Sequence, residues 1–142
     1  MATRARKNSY ALHPIGVIRS PLKRLQDAPR FYTEGAPDAV LEVYPRFRMG
    51  LNRVEVGDEV IVITWLHRAR RERLRTHPED DWSRPLTGIF LTRSPDRPNP
   101  VGLHRCTVRA ITPTGLRVGP IEVVDGTPVI DIKPVVSEAK DW

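Results

Sequence analysis

Arg93, Asp96, Arg97 and Asn99 are interleaved with three prolines, Pro95, Pro98 and Pro100, in the stretch GIFLTRSPDRPNPVG from Gly88 to Gly102. Proline fixes φ and deletes a backbone donor, so this stretch can neither continue a sheet nor enter a helix interior. A stiff, extended loop is expected, hung off the end of the apolar run Gly88 to Thr92. Little backbone freedom is left to lose when such a loop grips a polar ligand. Each guanidinium presents a planar fork of donors that suits a carboxylate or a phosphate. Asn99 offers donors and acceptors together. The same residues would also make a rigid connector with solvated arginines. The loop's length and charge alternation favour a ligand site.

Other residues could do chemistry. Asp125-Gly126-Thr127-Pro128 reads as a tight turn, and that alone explains the glycine. Asp131 and Lys133 alternate with Ile130 and Ile132, so both point to one face of a strand. They form either a simple ion pair or part of a pocket mouth. His67 ends a β-branched run, and by type alone it is a structural hydrogen-bonding residue. Arg68, Arg70, Arg71, Arg73 and Arg75 fall within eight residues, with only Glu72 against them. That cluster is either a solvated face or a phosphate-contacting strip. Few aromatics are interleaved with it, so a stacking platform for single-stranded RNA is not evident.

The elements that must position these groups are short β-type runs between turn signals. Strands are expected at Leu12 to Arg19, Val40 to Tyr44, Glu59 to His67, Leu86 to Thr92, Leu103 to Thr112, Leu116 to Val118 and Val129 to Ile132. Phe47 to Val54 could form a helical turn, and residues 22 to 38 and 68 to 83 are expected to be irregular. Gly57-Asp58, Pro113-Thr114-Gly115 and Asp125-Gly126 mark turns. Many short strands with few helical periods argue an all-β fold, a barrel or sandwich. No GxGxxG is present, so a nucleotide-like cofactor must be held in some way other than on a Rossmann loop.

The chain's 142 residues suit one domain. The expected division is a basic tail over 1–9, a barrel over 10–136 and a short tail over 137–142. No apolar run reaches the roughly eighteen residues needed to cross a bilayer, and the basic N-terminus is not followed by the apolar segment of a secretory signal. The single Cys106 excludes an internal disulfide and fits a reducing cytoplasm. Its place in the alternating run LHRCTVRAI suggests a buried thiol. One cysteine and four histidines show no metal-ligand spacing. A net charge of +6 and Arg4, Arg6 and Lys7 at the N-terminus give a polyanion-attracting balance.

TRSPDRPNPVGL resembles the signature of the TrmO/YaeB-like family of S-adenosylmethionine-dependent tRNA methyltransferases. IGVIRSP at Ile15 to Pro21, DAPR at Asp27 to Arg30 and DGTPVIDIKP at Asp125 to Pro134 agree in order and spacing. The resemblance implies a β-barrel that works as a homodimer, with the cofactor near the subunit contact. It implies cofactor contacts at Pro29, Arg30 and Phe31, at Leu66 and His67, at Arg93, at Leu103, and at Asp125, Gly126, Thr127 and Pro128. Phe31 stands where the family commonly has glutamine, and could stack on a base.

The implied reaction is methyl transfer to N6 of threonylcarbamoyladenosine beside the tRNA anticodon. That nitrogen is a poor nucleophile but carries an acidic proton, so a nearby base or in-line positioning could suffice. Asp125 and Asp131 are the candidate bases. Arg97, Asn99, Lys133, Arg70, Arg71 and Arg73 are the candidate substrate contacts. Longer bacterial members carry an additional C-terminal domain, whereas Trp142 lies eight residues after Pro134. RNA would then be held by the barrel's own basic surface or an accessory partner, or the methyl acceptor would differ. The rival class is a non-catalytic, basic β-barrel RNA-binding module, which would not need the rigid RSPDRPNP loop.

Overall fold

The computed structural model describes residues 8–24 and 35–136. Residues 1–7, Pro29, Arg30, Phe31 and the tail 137–142 lie outside the described residues. The strands are β1 (Gly16–Arg19), β2 (Ala39–Val43), β3 (Glu59–Trp65), β4 (Arg75–Thr76), β5 (Thr87–Gly88), β6 (Val101–Ile111), β7 (Gly115–Gly119) and β8 (Pro128–Pro134). Six of them close into one antiparallel barrel in the order β1-β2-β7-β6-β3-β8. The all-β expectation is therefore met as a barrel.

Period-2 patterning forms these strands. Along β6, Gly102, His104, Cys106 and Val108 face inward, while Val101, Leu103 and Arg105 face out. Ile18, Leu41, Val62, Val108, Leu116 and Val129 fill the interior with no more than 1% exposure each, so the lumen is a core rather than a channel. Cys106 is buried among them, and burial, followed by the charge of Glu122, pushes its thiol up to about 12. It is an inert core thiol at neutral pH.

The Leu86 to Thr92 expectation is corrected. Only Thr87–Gly88 is strand, paired with Arg75–Thr76, and Ile89–Leu91 is a 3-10 turn. Ile89 is the one buried residue of that turn. Phe90 and Leu91 face solvent, so the run has no sheet face to cover. The stretch 68–83, expected to be irregular, contains β4. Pro45–Leu51 forms the other expected turn, as a 3-10 helix.

Antiparallel closure decides which connections meet. The ends of β1, β3 and β7 and the starts of β2, β6 and β8 share one rim, because each strand reverses its neighbours. Three connections open at that rim: β1 to β2, the long excursion from Leu66 to Pro100, and residues 120–127. In sequence they contain the DAPR stretch, the proline loop and the DGTP turn.

Candidate functional site

The proline loop begins and ends at one point. Leu66 N–H donates to Pro100 O at 2.8 Å just beyond the last β3–β6 pair, Trp65 and Val101. Its prolines lack N–H donors, so arginine side chains satisfy its carbonyls. Arg97 Nη2 donates to Ile89 O at 2.6 Å and Thr92 O at 2.7 Å. Arg71 Nε donates to Pro98 O at 2.8 Å, and its guanidinium lies 5.1 Å from the Trp65 ring centre. Arg71 also approaches Asn99 Oδ1, at 3.4 Å. Asp96 accepts the Arg70 N–H at 2.9 Å. Arg97 and Arg71 thus brace the loop from within. Arg93 is exposed and makes no hydrogen bond or ion pair among the described residues. It is the cation that the braced loop presents outward. Arg70 is exposed and Arg73 half-buried on the same excursion.

Leu66, His67 and Leu103 lie beside the loop's base. Leu103 is on the outer face of β6, opposite Ile63 of β3. His67 is exposed, and desolvation, followed by the Arg68 charge, lowers its pKa. It is therefore a neutral hydrogen-bonding group at physiological pH.

The DGTP turn is pinned from several sides. Gly126 adopts φ +84°, a left-handed value that favours glycine, and its N–H donates to Ile18 O at 2.7 Å. Thr127 is buried, with its hydroxyl donating to Val124 O at 2.7 Å. Asp125 accepts the Ser20 N–H at 2.9 Å and pairs with Lys23 at 3.2 Å. The Ser20 N–H is the main reason, and Lys23 a further one, that its carboxyl is held below the usual carboxylate range. Such a carboxylate is ionised at neutral pH and is a weak base.

A lowered folded-state pKa stabilises the protein above the unfolded value, about 3.9, and that contribution is lost as pH falls through the lowered one. Asp125→Asn should therefore have a constant deficit in urea midpoint from pH 8 to about 5, closing in stronger acid. A deficit unchanged in strong acid would show that the carboxylate's charge is not what matters.

Asp131 lies in the same row as Leu103, each opposite Ile63 on a neighbouring strand, and Lys133 lies two residues further along β8. Asp131 stands opposite Ile63, Val129 opposite Thr64, and a bulge leaves Ile130 between them unpaired. Lys133 is opposite Ile61, further toward the other rim. Asp131 and Lys133 form an ion pair at 3.8 Å, and Asp131 also lines a groove of about 480 Å³ with Phe47, Leu51, Val54 and Ile132. The ion pair is thus formed, and of the two residues Asp131 alone lines that groove. Asp125 lines a different cavity, with Arg19, Lys23, Asp38 and Arg117.

One group escaped the sequence reading. His104 is buried within the barrel, with Nδ1 2.6 Å from Glu122 Oε1 and Nε2 2.7 Å from Thr64 Oγ1. With Nδ1–H donating to the Glu122 carboxylate, the neutral ring's Nε2 accepts the Thr64 hydroxyl. The available signal was a polar residue at an inward position of each of two alternating strands.

The fold and the rim define a closed antiparallel barrel domain without a Rossmann loop. The chain belongs to the tRNA-methyltransferase O N-terminal domain family, whose sequence model matches residues 17–141. A crystal structure of TrmO from Pseudomonas aeruginosa is similar, with a TM-score of 0.72 and 29% identity, over 90% of this chain and 56% of that one. A probable S-adenosyl-L-methionine-binding protein of Archaeoglobus fulgidus is 41% identical over 126 residues, 89% of this chain and 34% of that protein. Another so named, from Methanothermobacter thermautotrophicus, is 39% identical over 124 residues, 87% of this chain and 88% of its own length. The chain thus spans about half of the TrmO structure and a third of the A. fulgidus protein.

Proposed function

We propose that this chain is an S-adenosylmethionine-dependent methyltransferase that modifies N6 of threonylcarbamoyladenosine in tRNA. The observation that carries the reading is the meeting of the proline loop, Leu66-His67 and the DGTP turn at one barrel rim. The donor set fits the cofactor. Arg93 is an outward cation for its carboxylate. Leu103 and Leu66 give apolar contact for adenine, and neutral His67 adds a hydrogen bond without repelling a sulfonium. Pro29, Arg30 and Phe31 are assigned to the same site from the family motif.

The cofactor supplies an electrophilic methyl group on a positively charged sulfur. The chain's task is to align the acceptor nitrogen with it and to keep the rim rigid. Asp125, held as a weak base, serves the turn better than it serves proton removal. The acceptor's own acidity then carries more of the reaction. Asp131 is engaged by Lys133 at 3.8 Å, and neither is assigned a catalytic step.

RNA binding is supported by the +6 charge and by Arg70, Arg71, Arg73 and Arg93 on one excursion. Trp82, exposed there, offers an apolar ring to bases. The homodimer belongs to the same proposal. Phe90 and Leu91, 82% and 85% exposed beside Arg93, form an apolar pair that a second copy would cover. The cytoplasm is the expected compartment for this reaction.

The test is incorporation of labelled methyl from S-adenosylmethionine into tRNA with and without threonylcarbamoyladenosine. Incorporation into the modified tRNA alone is expected. Cofactor binding with no incorporation into either would reject the tRNA assignment, and equal incorporation would show that the threonylcarbamoyl group is not read. RNA binding without cofactor binding would instead favour the non-catalytic module.

A further inference from the structure

We propose that the buried chain Thr64–His104–Glu122 is a positioning network that holds the three cofactor-bearing segments of the rim in one register. The proposal rests on the cofactor reading given above. Each member lies a short step from a rim residue. Thr64 precedes Leu66 by two positions, His104 follows Leu103 directly, and Glu122 precedes Asp125 by three. Leu103 faces out and His104 faces in, so the ring's two hydrogen bonds fix the strand from behind the surface that Leu103 presents.

Gly102 shows how tightly the network is set. A Cβ there would meet Thr64 Oγ1 at 2.5 Å and His104 Nε2 at 2.6 Å. The Thr64–His104 bond therefore sits directly against the backbone where β6 leaves the proline loop. This accounts for the glycine that ends the loop motif. Apolar side chains could fill the same space with no stability penalty. What they could not do is set a direction, because only hydrogen bonds of fixed length select one relative placement of β3, β6 and the 120–127 segment. Among the described residues, Glu122 Oε2 is buried with no partner and the carboxylate is held by His104 alone, so the placement of its segment depends on the ring.

None of these three side chains is assigned a contact with the ligand, so they act through the backbone they hold. The test uses Thr64→Val, which keeps the shape and removes the hydroxyl, and Thr64→Ser, which keeps the hydroxyl. Calorimetry with S-adenosylmethionine should show Thr64→Val weakened roughly three- to thirtyfold, with Thr64→Ser within about twofold of the parent. In the parent, nitrogen NMR should show His104 as a single tautomer whose Nε2 resonance moves when the cofactor is added.

Unchanged affinity in Thr64→Val with only a lower melting temperature would reduce the network to a structural role and overturn the proposal. Equal losses in the valine and serine variants would overturn it too, because shape rather than the hydrogen bond would then matter. A parent protein that binds no S-adenosylmethionine would fail at the earlier reading, and this inference would fall with it.

Discussion

Replacing Arg93 by alanine is expected to weaken S-adenosylmethionine binding about tenfold to a hundredfold, while the melting temperature of the free protein stays where it was. Hydrogen bonds to a charged group contribute about 1.5–3 kcal/mol, which converts to that range. Arg93 has no partner among the described residues, so its removal breaks nothing within the described fold. Arg71→Ala should behave in the opposite way. Arg71 braces Pro98 and covers Trp65, so its loss should lower the melting temperature and weaken binding less. Calorimetry and thermal melts of both variants make the comparison. Equal affinities would mean that the site is misplaced on the loop.

The largest stability effect is expected at His104. His104→Ala leaves the Glu122 carboxylate buried with neither oxygen partnered among the residues described, since Oε2 already lacks a partner and Oε1 is held by Nδ1. Removing one member of such a buried pair costs about 3–5 kcal/mol, much of a small domain's stability. A shift in urea midpoint of that size is the expected reading, and adding Glu122→Leu should restore part of it. A cost below about 1 kcal/mol would show that water satisfies the carboxylate.

The strands were legible in the sequence because each buries one face. LHRCTVRAI alternates as written, and EVIVITW alternates in burial although every second residue could pass for core. The turns were legible because Gly57, Gly126 and the Pro113-Thr114-Gly115 run carry backbone chemistry in their types. The run Ile-Phe-Leu at 89–91 misled, since composition cannot say that only Ile89 finds a core.

The proline loop was legible as rigid, but not which arginine it would present. That depends on which arginines reach back to the loop's own carbonyls, and Arg97, at Ile89 O and Thr92 O, and Arg71, at Pro98 O, are the ones that do. The inward polar positions Thr64 and His104 were legible one at a time, but the Thr64–His104–Glu122 chain that they form was not. Thr64 and His104 are forty residues apart, and only the β3–β6 register, which sets His104 opposite Val62 and Thr64 opposite Gly102, makes them diagonal neighbours. The row that Asp131 occupies was not legible either, because it depends on the bulge at Ile130, which sets Asp131 opposite Ile63 and level with Leu103.

The paired ends of the Leu66–Pro100 excursion have a meaning for how such proteins diversify. One backbone hydrogen bond joins the two ends of the excursion, Arg68 to Lys23 O and Arg71 over Trp65 add side-chain ties to the barrel, and the β4–β5 ladder and the Ile89 N–H to Leu74 O bond are internal to it. Closing a longer or shorter segment between two such adjacent ends changes the loop-closure free energy only by about 0.6 kcal/mol per doubling of length. The barrel can therefore accept a different cassette at that seam and remain folded. Natural variation could rewrite what the protein offers to an acceptor while inheriting unchanged the frame that supports it.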